Sequence, residues 1–228
     1  MELSPRLALI ASLIQPGSRV CDVGTDHGHL PVYLLEQEIC PFAIATDLKP
    51  DPLESSRRTA LAAGVTGISF RLADGLGAVE PHEIDTVVMA GMGGETIRGI
   101  LAGASWLKRG SYRLILQPQS KLPELMTALA CDGYCVENQH LVEDAEKLYT
   151  VLEVTAGQMT PPTGGAQYVH ESLLKRGDPL LETYLGGICK KLSRALEGLR
   201  QAEEKDEKCT VYAQALADLN QWRGELTR

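Results

Sequence analysis

The chain holds 228 residues, 44% of them hydrophobic and 23% charged, which is enough to bury a full core. That excludes a disordered chain, a collagen-like repeat and a disulfide miniprotein. The net charge is −8, from 22 Lys and Arg against 30 Asp and Glu, so a nucleic-acid partner would need a local basic patch. The imbalance lies in residues 1–157, with 12 basic and 20 acidic side chains, whereas residues 158–228 carry 10 of each. No apolar run approaches the ~18 residues of a membrane span, and the N-terminus lacks the build of a signal peptide. Six cysteines (Cys21, Cys40, Cys131, Cys135, Cys189, Cys209) show no C-x-x-C spacing. They suit buried thiols in a reducing cytoplasm, with no metal site and no membrane.

Strand-like and helix-like segments alternate through the first 155 residues. Ser18–Gly24, Phe42–Asp47, Gly67–Leu72, Asp85–Gly91 and Tyr112–Gln117 are short, nearly continuous apolar runs, the pattern of strands buried on both faces. Helical stretches fall between them at Leu30–Gln37, Pro52–Ala63, Thr96–Ala102 and Leu122–Ala130, which predicts a doubly wound parallel sheet. Tyr134–Val142 and Lys147–Val154 are then too close in sequence for a crossover helix and must pair antiparallel. Five parallel strands ending in an antiparallel hairpin make the seven-stranded, Rossmann-like inventory of a class I methyltransferase. A dinucleotide dehydrogenase would continue in parallel.

A Pro/Gly/Thr linker, Gln158–Gly165, marks a boundary, with a first domain over 1–157 and a second over 158–228. Tyr168–Arg176 is expected as a lead-in helix, and Asp178-Pro179 as the N-cap of the next. Leu181, Leu185, Ile188, Leu192, Ala195, Leu199 and Ala202 recur at spacings of four and three, a heptad seam. The charged stretch Glu203–Lys208 interrupts it, and Tyr212, Leu216, Leu219 and Leu226 resume it. An antiparallel coiled-coil hairpin follows, in a monomer or weak dimer. One continuous helix pairing with a second subunit is the alternative.

Asp22-Val23-Gly24-Thr25-Asp26-His27-Gly28 lies where the first strand turns into its helix, at the edge where such sheets bind ligands. The spacing G-x-x-x-G is not a pyrophosphate grip. An acid two residues before Gly24 repels phosphate but suits the cationic aminoacyl sulfonium of S-adenosylmethionine. A glycine-rich turn with no ligand is the bland alternative. Asp47, with Leu48 after it, closes the second strand where a carboxylate bridges ribose hydroxyls. Asp74-Gly75, past the third, can accept from an adenine amine while leaving the ring room. Gly91-Met92-Gly93-Gly94 ends the fourth strand as a floor of backbone donors and acceptors, without the Asn/Asp-Pro-Pro-aromatic motif that clamps a base in amino-methyltransferases.

With these stretches, Ala90-Gly91-Met92-Gly93-Gly94, Leu114-Ile115-Leu116-Gln117-Pro118 and Glu146-Lys147-Leu148-Tyr149, the whole chain resembles the bacterial tRNA (adenine-N1)-methyltransferases that modify adenine 22 in the D-arm. It departs from them at Gly28 (Ala expected), at Gln119 (Asn expected) and in lacking an Arg-x-Trp around Glu124–Thr127. The resemblance implies methyl transfer from S-adenosylmethionine to adenine N1 in tRNA. It implies cofactor contacts at Asp22, Gly24, Thr25, Asp26, Gly28, Asp47, Leu48, Asp74, Gly75, Gly91, Met92 and Gly93. Asp26 is expected to stabilise the cationic product ring, with His27 as base or orienting group. Because N1 lies on the pairing edge, flanking RNA must be gripped. The expected contacts are Arg6, Arg57, Arg58, Arg98 and Lys121 on the catalytic domain and Lys190, Lys191 and Arg194 on the helical arm. Other readings are a class I methyltransferase acting on a small molecule or protein, or a cofactor-binding scaffold assembling through the seam.

Overall fold

The computed structural model describes residues 1–201 and 207–226. The order is α1 (Pro5–Ser12), β1 (Arg19–Val23), α2 (His29–Glu36), β2 (Phe42–Asp47), α3 (Pro50–Ala62), β3 (Ile68–Leu72), β4 (Thr86–Gly93), α4 (Gly94–Gly103), β5 (Arg113–Ser120), α5 (Leu122–Cys131), β6 (Tyr134–Asp144), β7 (Lys147–Ala156), α6 (Glu171–Arg176), α7 (Leu181–Gln201) and α8 (Glu207–Leu226). The seven strands form one sheet in the order β3-β2-β1-β4-β5-β7-β6, with β1 to β5 parallel and β7 antiparallel to both its neighbours.

Alternation along β4 shows why the sheet is wound on both sides. Val87 and Met89 pack with Ile97, Leu101, Leu125 and Leu129 of α4 and α5, whereas Val88 packs with Ile10, Ile14, Leu30 and Leu34 near α1 and α2. Successive side chains of a strand point to opposite faces, so a continuous apolar run fills two layers. Helix α1 is absent from the sequence expectations because eight residues are too few to show a periodic stripe.

The β6–β7 hairpin is tighter than the sequence implies. β6 runs on to Asp144, leaving only Ala145 and Glu146 to turn, at φ 48° and 62°. Two left-handed residues are the demand of a type I′ hairpin, and neither has the Asn or Gly that signals one. In the C-terminal part the lead-in helix begins at Glu171 and not at Tyr168, after a 3-10 turn over Gly164–Gln167. α7 begins at Leu181, with Asp178 accepting from the Leu180 amide at 2.8 Å in an Asx turn ahead of it.

α7 and α8 run antiparallel, pinned near one end by Arg223 and Glu182 at 2.6 Å. The buried seam is Leu181, Leu185, Cys189, Leu192 and Leu196 against Ala215 and Leu219. Ile188 and Ala195 instead face a cavity toward the sheet domain, and Leu226 is 43% exposed. Ala202 and residues 203–206 lie outside the described residues. The arm docks on the sheet through Leu141 of β6 and through Tyr184, whose hydroxyl donates to the Tyr168 carbonyl at 3.0 Å and accepts from Thr150 at 3.2 Å. Gly165 packs against Asp218 and Trp222 of α8, and its N–H donates to the Asp218 carboxylate at 2.8 Å.

Candidate active site

Asp22, Asp47 and Asp74 arise at the carboxyl ends of three adjacent parallel strands, so the topology brings them to one edge. Thr46 ties their loops together. Its carbonyl accepts from the Gly24 and Thr25 amides at 2.8 and 3.0 Å, and its buried hydroxyl donates to the Gly75 carbonyl at 3.0 Å. Thr46 falls in the family-like stretch Ala45-Thr46-Asp47, but the sequence assigns it no role; that role follows from strand register.

Asp22 is 7% exposed. Burial pushes its carboxyl up to about 6, the Thr25 hydroxyl beside it opposes this, Asp47 adds to it and Arg6 counters it. The Thr25 hydroxyl is itself buried without a hydrogen-bond partner of regular geometry among the described residues. A buried carboxylate short of a counter-charge, with one loosely aligned hydroxyl beside it, is a site that a ligand ammonium would complete. Gly24 sits at φ +74°, and a Cβ there would collide with the Met92 methyl, so the glycine lets β1 and β4 loops meet. Asp47 is half-buried and caps the Lys49 amide at 2.8 Å. Leu48 is 66% exposed, an apolar side chain placed to be covered by a flat ring. Asp74 is exposed beside it on the open edge, and Gly75 packs on Ile100. These residues fit S-adenosylmethionine: an anion for its ammonium, a carboxylate for its ribose and an uncovered apolar surface for its adenine.

The glycine floor at the end of β4 is set by a side chain that the sequence reading left without a role. Gln117, fully buried within β5, accepts with Oε1 from the Gly91 amide at 2.9 Å and from Arg6 Nη1 at 2.8 Å. Arg6 also lies over the Tyr149 ring, 5.6 Å from its centroid. Arg6, half-buried and expected from the sequence as an RNA contact, thus also braces the glycine floor against the β7 hairpin.

Other expected site residues fall elsewhere. Gly28, expected as a cofactor contact, has a packing role in the structure. It is the left-handed N-cap of α2, and a Cβ there would lie 2.9 Å from the Ser56 Cβ of α3, so helix packing accounts for it. Asp26 is open to solvent, its side chain 82% exposed and 3.4 Å from His27. His27 is tethered by Nδ1 to the Ser55 hydroxyl at 2.8 Å. Neither is built into the buried floor.

The basic residues also divide. Arg57 stacks on Phe70 at 4.8 Å and donates to its carbonyl, bracing the β3 edge. Arg58 pairs with Glu54 one turn away. Arg98 lies 3.5 Å from Asp132, and Lys121, left-handed at the start of α5, 3.2 Å from Glu124. Both line a cavity between the sheet domain and the arm, as does Lys191. Lys190 and Arg194 line a separate depression on the hairpin, so the three arm cations do not share one face. Adjacent helical residues point about 100° apart.

Comparison with known proteins gives the family. The model of a methyltransferase domain family matches residues 3–152. The tRNA (adenine(22)-N(1))-methyltransferase of Bacillus subtilis is 34% identical over 158 residues, 69% of this chain and 66% of that enzyme. The crystal structure of the B. subtilis m1A22 tRNA methyltransferase superposes with a TM-score of 0.82 at 28% identity, covering 100% of this chain and 99% of that one. A Streptococcus pneumoniae relative solved with S-adenosyl-L-methionine is 32% identical with a TM-score of 0.78, covering 100% of both chains. The chain belongs to the tRNA (adenine(22)-N(1))-methyltransferase family.

Proposed function

We propose that this chain transfers the methyl group of S-adenosylmethionine to N1 of adenine 22 in the D-arm of tRNA. The observation that carries the reading is the buried, under-compensated Asp22 at the carboxyl edge of β1, in a chain of this family. Asp22 holds the methionine ammonium, Asp47 the ribose hydroxyls and Asp74 the adenine amine, while Leu48 covers the ring. S-adenosylmethionine, when bound, supplies an already activated methyl group on a sulfonium.

The protein's own residues then have a modest task. Adenine N1 attacks with a free lone pair, the methyl–sulfur bond breaks onto sulfur, and the ring gains a positive charge. Positioning in line supplies much of the rate. The glycine floor, held by Gln117 and Arg6, presents backbone carbonyls to the reacting ring. Such fixed dipoles are worth most where water is excluded. Asp26 and His27 act at the ring once tRNA has covered them; in the free chain water screens both. A proton later leaves N6 to solvent or to such a group.

The test is methyl transfer from labelled S-adenosylmethionine to unmodified tRNA transcripts, followed by nucleoside analysis. One methyl per tRNA as 1-methyladenosine is expected, abolished when adenine 22 of the transcript is replaced by guanine. Label at another position, or label only in protein or small molecules, overturns the assignment.

A further inference from the structure

The helical arm does not lie flat against the sheet domain. Between them is a cavity of about 990 Å³, bounded by the β5–α5 junction, the start of β7 and the inner faces of α7 and α8. Its volume is at the upper end of the range for pockets that enclose small organic groups. Among the described residues that line it are five cations, Arg98, Lys121, Lys147, Lys191 and Lys208, and one carboxylate, Glu124, which pairs with Lys121 as Asp132 pairs with Arg98. Four tyrosines, Tyr149 of β7, Tyr168 of the segment before α6, Tyr184 of α7 and Tyr212 of α8, supply aromatic surface. Gln119, also on the wall, has its amide nitrogen 3.6 Å from where a Cβ on Gly91 would sit, so the cavity opens beside the glycine floor.

We infer that this cavity is the RNA-binding groove, taking one or more unstacked nucleotides of the tRNA at the target site, with phosphates on the lysines and bases against the tyrosines. The inference rests on the tRNA reading above. Aromatic faces accept any unstacked base, and a cationic rim tracks the backbone. An apolar interior with a basic rim fits a nucleotide, which brings a phosphate and a flat base together, better than a helix of a second copy. The inner groove, and not the outer face of α7 that carries Lys190 and Arg194, then follows the RNA.

The experiment compares two double variants of the full chain, Lys147→Gln/Lys191→Gln in the groove and Lys190→Gln/Arg194→Gln outside it. All four side chains are exposed, and melting curves with the S-adenosylmethionine Kd serve as folding controls. The readout is tRNA Kd by fluorescence anisotropy across ~50–200 mM salt, where each lost phosphate contact flattens the log–log slope by about 0.7–0.9. The groove pair is expected to flatten it by about 1.4–1.8 and to weaken binding by about tenfold at low salt, with the outer pair close to wild type. Equal effects, or loss confined to the outer pair, overturn the groove. A wild-type chain that neither binds nor methylates tRNA overturns the tRNA reading itself, and a dimer that excludes tRNA and dissolves in the groove variant assigns the cavity to a second copy.

Discussion

Replacing Asp22 with Asn should make the ligand-free protein more stable and, at the same time, cripple cofactor binding. Burial raises the Asp22 carboxyl from 3.8 to about 6, and at 1.36 kcal/mol per pH unit this corresponds to a charged-state penalty of about 3 kcal/mol. The sign follows from proton counts. Between pH 4 and 6 the folded chain holds a proton that the unfolded chain has released, so this group's contribution falls as pH rises through that window and the penalty is complete above it. Asp22→Asn removes the penalty but leaves a buried amide to satisfy, which reduces the net gain to ~1–2 kcal/mol at pH 7.5. Below pH 4 the gain should vanish, because Asp22 is then neutral in both states. Urea unfolding of cofactor-free wild type and variant at pH 4 and 7.5 measures the difference, and titration calorimetry measures the Kd for S-adenosylmethionine. That Kd should rise at least tenfold. A variant that is destabilised equally at both pH values would refute the reasoning, since Asp22 would then be an ordinary satisfied residue.

Three further substitutions follow from the same geometry. Thr46→Val keeps the shape but removes the donor to the Gly75 carbonyl; we expect a loss of ~1–2 kcal/mol and a weaker S-adenosylmethionine Kd with tRNA affinity unchanged, checked by calorimetry and anisotropy. Gln117→Ala strands the Gly91 amide and Arg6 Nη1; kcat should fall more than the cofactor Kd rises, which single-turnover methylation would separate. Gly24→Ala must displace the Met92 methyl and strain a left-handed residue, so cofactor binding should be lost in calorimetry while the far-ultraviolet circular dichroism of the fold is kept.

The parallel sheet was legible because runs such as Asp85–Gly91 fill both of its faces, and the three acids because each falls at the end of such a run. What was not legible depends on distance in space. Gln117 sits in a string that reads as buried strand, and only the pairing of β5 with β4 sets it under Gly91. Thr46 looks like any β-branched residue. Gly28 carries the signature of a ligand loop, yet the obstacle to a side chain there is Ser56 of α3. Lys190 and Lys191 are neighbours in sequence, and one helical step sends them to different surfaces.

The edge strand β6 has a consequence for how the chain is divided. Its Gln139 amide donates to the Ser172 hydroxyl of α6 at 3.0 Å, the Gln139 side chain donates to the Tyr168 carbonyl, and Leu141 belongs to the core of the arm. The C-terminal helices thus shield a strand border that would otherwise offer unpaired amides and an apolar row to other chains. Cutting at the linker would uncover that border, so the segment from Tyr168 through α6 and the arm core covers the sheet as well as extending the chain. A shortened catalytic fragment would need new charges along β6 before it could remain dispersed in solution.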